Sequence, residues 1–111
     1  MKYHEILPME RTDLDRLLTS GNQKAIIDAL LSAAYHDPDW RWVQSTCLRF
    51  LDHPEHSVRW NAVTCLGHIA RIHRQLDADI VVPILMTLKA DPSMSNVDDA
   101  LDDIKQYLRI Q

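Results

Sequence analysis

Glycine is almost missing from this sequence, with two among 111 residues. A turn-rich β fold needs glycine wherever the backbone must take positive φ, so its scarcity argues against such a fold and for helices. No apolar run approaches the roughly 18 residues that a membrane span requires. The opening stretch, MKYHEILPME, has no apolar core of secretory-signal length, which implies a cytoplasmic protein. Cysteine occurs twice, at Cys47 and Cys65, both inside expected helices and at no spacing that suggests a staple or a metal clip. Such residues behave as small buried hydrophobes in a reducing compartment. Also missing are a phosphate-binding glycine loop, a zinc-peptidase helix and a paired-carboxylate cleft. No catalytic residue, no metal and no cofactor is therefore expected, and the chain reads as a non-enzyme.

What is present is ordinary for one soluble domain: 46% hydrophobic and 25% charged residues over a length that can bury a core. The net charge of −4 is unevenly spread. Residues 1–39 hold four basic and seven acidic side chains, a net −3. Residues 40–75 hold Arg41, Arg49, Arg59, Arg71 and Arg74 against Asp52 and Glu55, a net +3. Residues 76–111 hold three basic and seven acidic groups, a net −4. A basic middle between acidic ends suits a charged partner, although most charge blocks are simply solvated faces.

Apolar periodicity divides the chain into about six helices. Met1 to Glu10 reads as a loosely docked arm. Thr12 to Asp15 resembles a capping box opening a first helix that ends near Gly21. Asn22 caps a second through about Ala34. Pro38 suits the first position of a third, which runs to about Leu51 with Trp40, Val43, Cys47, Phe50 and Leu51 inward and Trp42, Ser45, Thr46 and Arg49 outward. Ser57 is placed to cap a long fourth helix to about Arg74 on which Val58, Ala62, Cys65, Leu66, Ile69 and Ile72 share one inward face. Asp77 or Asp79 starts a fifth through about Ala90, burying Val81, Ile84, Leu85 and Leu88. Pro83 lies in its opening turns, where it costs least. Ser95 caps a sixth with the stripe Val97, Ala100, Leu101, Ile104, Tyr107 and Leu108.

A shift of 38 lays Pro54 on Pro92, Ser57 on Ser95, Ala62 on Ala100, Leu66 on Ile104, Asp39 on Asp77 and Val43 on Val81. Two helices per repeat of about 40 residues are the mark of an α-solenoid, in which each pair hides its apolar face on its neighbours. The segments Leu51-Asp52-His53-Pro54, Val58-Arg59, Ala62 and Leu66-Gly67 resemble the HEAT-repeat pattern, as do Leu88, Asp91-Pro92, Ala100 and Ile104. The resemblance implies an all-α, short right-handed solenoid of antiparallel helix pairs: one domain over 1–111, with 12–38 a degenerate cap and 39–76 and 77–111 the repeats. It also implies a binding surface, usually the concave one lined by the second helix of each pair, and that Arg59 pairs with Asp52 or Asp91. A HEAT-like chain this short, with Cys65 to His73 as it stands, is similar to small bacterial immunity proteins of contact-dependent growth-inhibition systems. Those proteins hold a toxin inactive.

The expected partner is accordingly a protein, a cognate toxin domain that could be a nuclease. Asp98, Asp99, Asp102 and Asp103 would meet its cationic groups. Trp42 with Arg49, and Trp60 near Arg71, have the composition of a second contact patch; both tryptophans fit a place in the core equally well. The histidine pairs His53/His56 and His68/His73 have poor spacing for a metal and read as solvent-facing or loop residues, with room for one in the core. The alternatives are a nucleic-acid binder, disfavoured by the acidic balance, and a general HEAT scaffold. The chain is expected to be a monomer or a weak homodimer.

Overall fold

Residues 5–109 are described by the structure, a computed structural model, and the expected N-terminal arm therefore begins outside them. The helices are α1 (Arg11–Leu18), α2 (Gln23–His36), α3 (Trp40–Arg49), α4 (His56–His73), α5 (Ala78–Leu88) and α6 (Asn96–Leu108). Single 3-10 turns, Phe50–Asp52 and Pro92–Met94, lead into α4 and α6, and no strand occurs among the described residues. The chain is all-α, a short solenoid of stacked helix pairs. In it α4 lies between α2 and α6, while α3 packs on α4 and α5 on α6.

Burial explains why α4 is central. Val58, Ala62, Val63, Cys65, Leu66, Ile69 and Ala70 are all fully enclosed. Each large aliphatic side chain so buried contributes about 1.5–3 kcal/mol. Val43 and Cys47 on α3 meet the same core, as do Val81 and Leu85 on α5, 38 residues on. The neighbouring Cys47 thiol and burial together push the Cys65 pKa up. Where α4 crosses α6 the helices lie very close. A Cβ on Gly67 would stand 3.0 Å from Asp103 Oδ2 and 3.2 Å from the Ala100 Cα.

Several helix starts differ from the sequence reading. Asn22 does cap α2, accepting from the Ala25 N–H at 2.9 Å. Pro38 lies before α3, and Asp39 is the cap, accepting from the Trp42 N–H at 3.1 Å. α1 starts at Arg11 and α4 at His56, with Glu10 and Glu55 at their caps and no side-chain bond from either. Ser57 thus sits inside α4, where its hydroxyl accepts from the Gln23 side chain of α2. Ser95 occupies the cap of α6 without a side-chain bond, and Asp91 caps the preceding 3-10 turn instead. Arg59 holds backbone, donating to the carbonyls of His53 at 2.7 Å and Pro54 at 3.0 Å. That bond pair braces the loop that the Asp52-His53-Pro54 break creates.

The N-terminal end of the stack is closed over. The Ser32 hydroxyl donates to the Leu7 carbonyl at 2.7 Å, and His36 Nε2 to the Ile6 carbonyl at 2.7 Å, tying the arm to α2. The C-terminal end has no such cover among the described residues.

Candidate functional site

The four aspartates of α6 are not equivalent. Asp98, Asp99 and Asp102 are exposed, while Asp103 is half-buried in the α4–α6 seam beside Gly67. Desolvation there pushes the Asp103 carboxyl above its ordinary pKa, with Arg71 opposing and Asp99 and Asp102 adding to the rise. Asp98 receives Lys89 at 3.3 Å, a bridge from the end of α5 to the start of α6. Three carboxylates therefore form an outward ridge in the first two turns of α6, where the helix dipole favours them.

Trp42 and Trp60 are each half-buried and packed against the core. The Arg11 guanidinium lies over the Trp42 ring at 3.7 Å while donating to both Asp37 oxygens at 3.2 and 3.1 Å. Trp60 stands beside the His56 ring at 5.8 Å, and its carbonyl accepts from Asn96 Nδ2 at 2.7 Å. Arg49 is exposed, 5.9 Å from the Phe50 ring, with no contact to either tryptophan among those of the described residues. The predicted second patch is therefore dispersed over α3 and α4.

Most arginines of the basic middle are engaged within the fold. Arg41 pairs with Asp77 at 3.4 Å and lies over Trp40. Arg59 holds loop carbonyls, Arg71 donates to His68 Nδ1 at 2.8 Å, and Arg74 stacks on Tyr107 at 4.8 Å. Two histidines also fasten backbone: the exposed His56 with Nε2 donating to the Ser93 carbonyl at 2.7 Å, and the loop residue His53 with Nδ1 accepting from the Glu55 N–H at 3.0 Å. His73 Nε2 is buried without a partner among the described residues. His68 is partly enclosed between Tyr35 and Arg71. Desolvation, with help from the Arg71 charge, lowers its pKa to about 4. Among the described residues no three His, Cys, Asp or Glu side chains are grouped as a metal ion would need. No helix among them is long and apolar enough to cross a membrane.

One surface was missed. The sequence pattern put Ile84 in the core, yet it stands 36% exposed, and Ile80 and Met86 are each 52% exposed. Pro83 and Thr87 are exposed beside them, and Asp79 is the one charged residue on this side of α5. The available signal was a helix apolar on every side. A helix at the end of a stack can bury only one side, so its remaining apolar residues face water. Near its start, Ile80 also borders an open cleft of about 810 Å³ lined by Trp40, Arg41, Arg74, Asp77 and Leu108.

Comparison with known proteins follows this geometry. The HEAT repeat pattern matches residues 43–73, the end of α3 through α4. A chain in the crystal structure of a CDI complex from Cupriavidus taiwanensis is 38% identical, superposes with a TM-score of 0.85, and is matched over 96% of this chain and 96% of its own. Among curated proteins none matches.

Proposed function

Since this chain belongs to the same family as its counterpart in the Cupriavidus taiwanensis CDI complex, we propose that it is the immunity component of such a pair, a protein that binds a toxin domain and holds it inactive without chemistry of its own. The observation that carries this reading is the near full-length likeness to a chain of that complex, joined to an acidic ridge turned outward on α6. Asp98, Asp99 and Asp102 meet the cationic groups of the toxin, which for a nuclease are those that hold phosphate. Asp103, half inside the seam, adds to the field. Arg49 and the partly covered Trp42 and Trp60 add separate, lesser contacts rather than one patch. Residues 12–38 serve as the cap of the stack, and 39–76 and 77–111 as its two repeats.

Binding rather than catalysis is further supported by where the reactive side chains sit: both cysteines are enclosed, and His36 of α2, His53 of the loop and His56 at the start of α4 are tied to backbone. A nucleic-acid partner has less support, because Arg41, Arg59 and Arg71 of the basic segment are spent on internal contacts and the net charge is −4.

The test is binding to the C-terminal domain of the protein encoded immediately upstream, followed by interferometry. A stoichiometric complex is expected. Replacing Asp98, Asp99 and Asp102 together by Asn should slow association about tenfold or more at low salt and flatten its salt dependence. An unaltered on-rate with an unaltered salt slope would sink the acidic contact.

A further inference from the structure

Of the large apolar side chains that stand exposed among the described residues, Leu7, Ile80, Ile84 and Met86, three lie on α5. With Pro83 and Thr87, the outward residues 80, 83, 84 and 87 recur at i, i+3, i+4 and i+7, the spacing by which a helix seats itself in an apolar groove. Met86 flanks this line on the other side of Pro83. The helix is fixed for such a role. Val81 and Leu85 are fully enclosed on its opposite side, and Asp77 at its start is clasped by Gln44 and Arg41 of α3. Its outward side needs no ordering before it binds.

We propose that this face of α5 is the anchor of the toxin complex, with Ile80 and Ile84 inserting into an apolar groove on a partner whose groove rim carries Lys and Arg. The inference rests on the immunity reading and says which surface supplies its affinity. Charge selects the occupant. The segment that carries the strip, residues 76–111, has a net charge of −4. Asp79 lies on the strip itself, and the Lys89–Asp98 bridge joins its far end to the α6 ridge. Two copies of this chain meeting here would bring like charges together, which disfavours self-association, whereas a basic rim is complementary. Area points the same way. Three partly exposed side chains fall well short of the roughly 800 Å² per partner of a stable interface. The strip therefore acts as a hot spot inside a larger contact that must include charged surface, and the α6 ridge is the charged surface beside it.

The two surfaces then divide the work: the ridge governs the approach of the toxin and the strip governs how long it stays. Interferometry against the C-terminal domain encoded upstream separates them. Ile80→Ser with Ile84→Ser should raise the dissociation rate about 100-fold while leaving the on-rate and its salt slope nearly unchanged, and independently Ile84→Asp should raise the dissociation rate by a similar factor. Circular dichroism and a urea melt verify that each variant remains folded. If wild type binds and both variants dissociate at the wild-type rate, the anchor is overturned and the immunity reading stands. If folded wild type does not bind at all, both fall together. Sedimentation of wild type alone supplies the remaining outcome: a dimer that Ile84→Asp abolishes makes a second copy the occupant and overturns the proposal.

Discussion

At an offset of 38 residues α3 and α5 run in register, and inwardly they match: Val43 with Val81 and Cys47 with Leu85, all four fully enclosed. Outwardly they part. Trp42 is half-buried under Arg11, and its counterpart Ile80 is 52% exposed. Thr46 is 1% exposed with its hydroxyl donating to the Trp42 carbonyl at 2.8 Å, while its counterpart Ile84 faces solvent. The polar residue is inside and the aliphatic one outside, the reverse of what residue type alone suggests. What decides burial in a stack is the layer a helix occupies. On the reading proposed above, the apolar residues left outside on α5 are where the partner settles.

The sharpest way to break this contrast is to place the same charge at both positions. Thr46→Asp would bury an unpaired carboxylate and cost about 3–5 kcal/mol, a large share of the total stability of a small domain. Ile84→Asp should cost under about 1 kcal/mol, as exposed substitutions do. Urea melts of the two variants measure the difference, and similar midpoints would erase the distinction between the layers.

A smaller effect concerns the joint between the two helices. Gln44 is buried, donates to Asp77 Oδ2 at 2.9 Å and accepts from the Asp77 N–H at 2.7 Å. These bonds, with Arg41, hold the Asp77 carboxyl below its ordinary pKa. Gln44→Ala strands that N–H and should cost about 1–3 kcal/mol. Hydrogen exchange in the first turn of α5 should accelerate ahead of that in α3. If both helices exchange faster together, the joint is not local.

The smallest expected effect compares the α2–α4 layer with α6 in acid. His68 has its folded pKa lowered from 6.5 to about 4, so the unfolded chain takes up this proton first. Its contribution to stability is complete above about pH 6.5 and is lost as the pH falls towards 4. The Asp103 carboxyl is shifted the opposite way, so protonating it favours the folded state. Thermal melts should therefore drop by a few degrees between neutral pH and pH 5, and His68→Gln should flatten that decline. A His68→Gln profile parallel to wild type would remove His68 as its source.

Much of this architecture is legible in the residues. The spacing of Val58, Ala62, Cys65, Leu66 and Ile69 yields the inner face of α4, and the Asp-Pro breaks place the loops, because periodicity and proline act locally. The errors are of another kind. Ser57, Pro38 and Thr12 carry good local signals for helix starts, yet each helix begins elsewhere by one or two residues. Asp39 takes the cap of α3 by accepting from the Trp42 N–H, and Ser57 is engaged by Gln23 of α2, whereas Glu10 and Glu55 cap α1 and α4 with no side-chain bond. The outward side of α5 was out of reach because a pattern of apolar residues records that they avoid water but not which body excludes it. The tryptophans were undecidable for a similar reason: their covers, Arg11 for Trp42 and His56 for Trp60, come from other turns and other helices.

Gly67 carries a consequence beyond its own helix. Because it lacks a side chain, α6 can settle until the backbone of Ala100 almost touches α4. The height of the carboxylate row above the α5 surface is thus written into an absent methyl group. A methyl group there would press α6 away from α4 by a few tenths of an ångström while leaving every aspartate and isoleucine in the sequence. On the proposed reading, two lineages that keep the same residues on both surfaces would still differ in how those surfaces are set, through one buried atom.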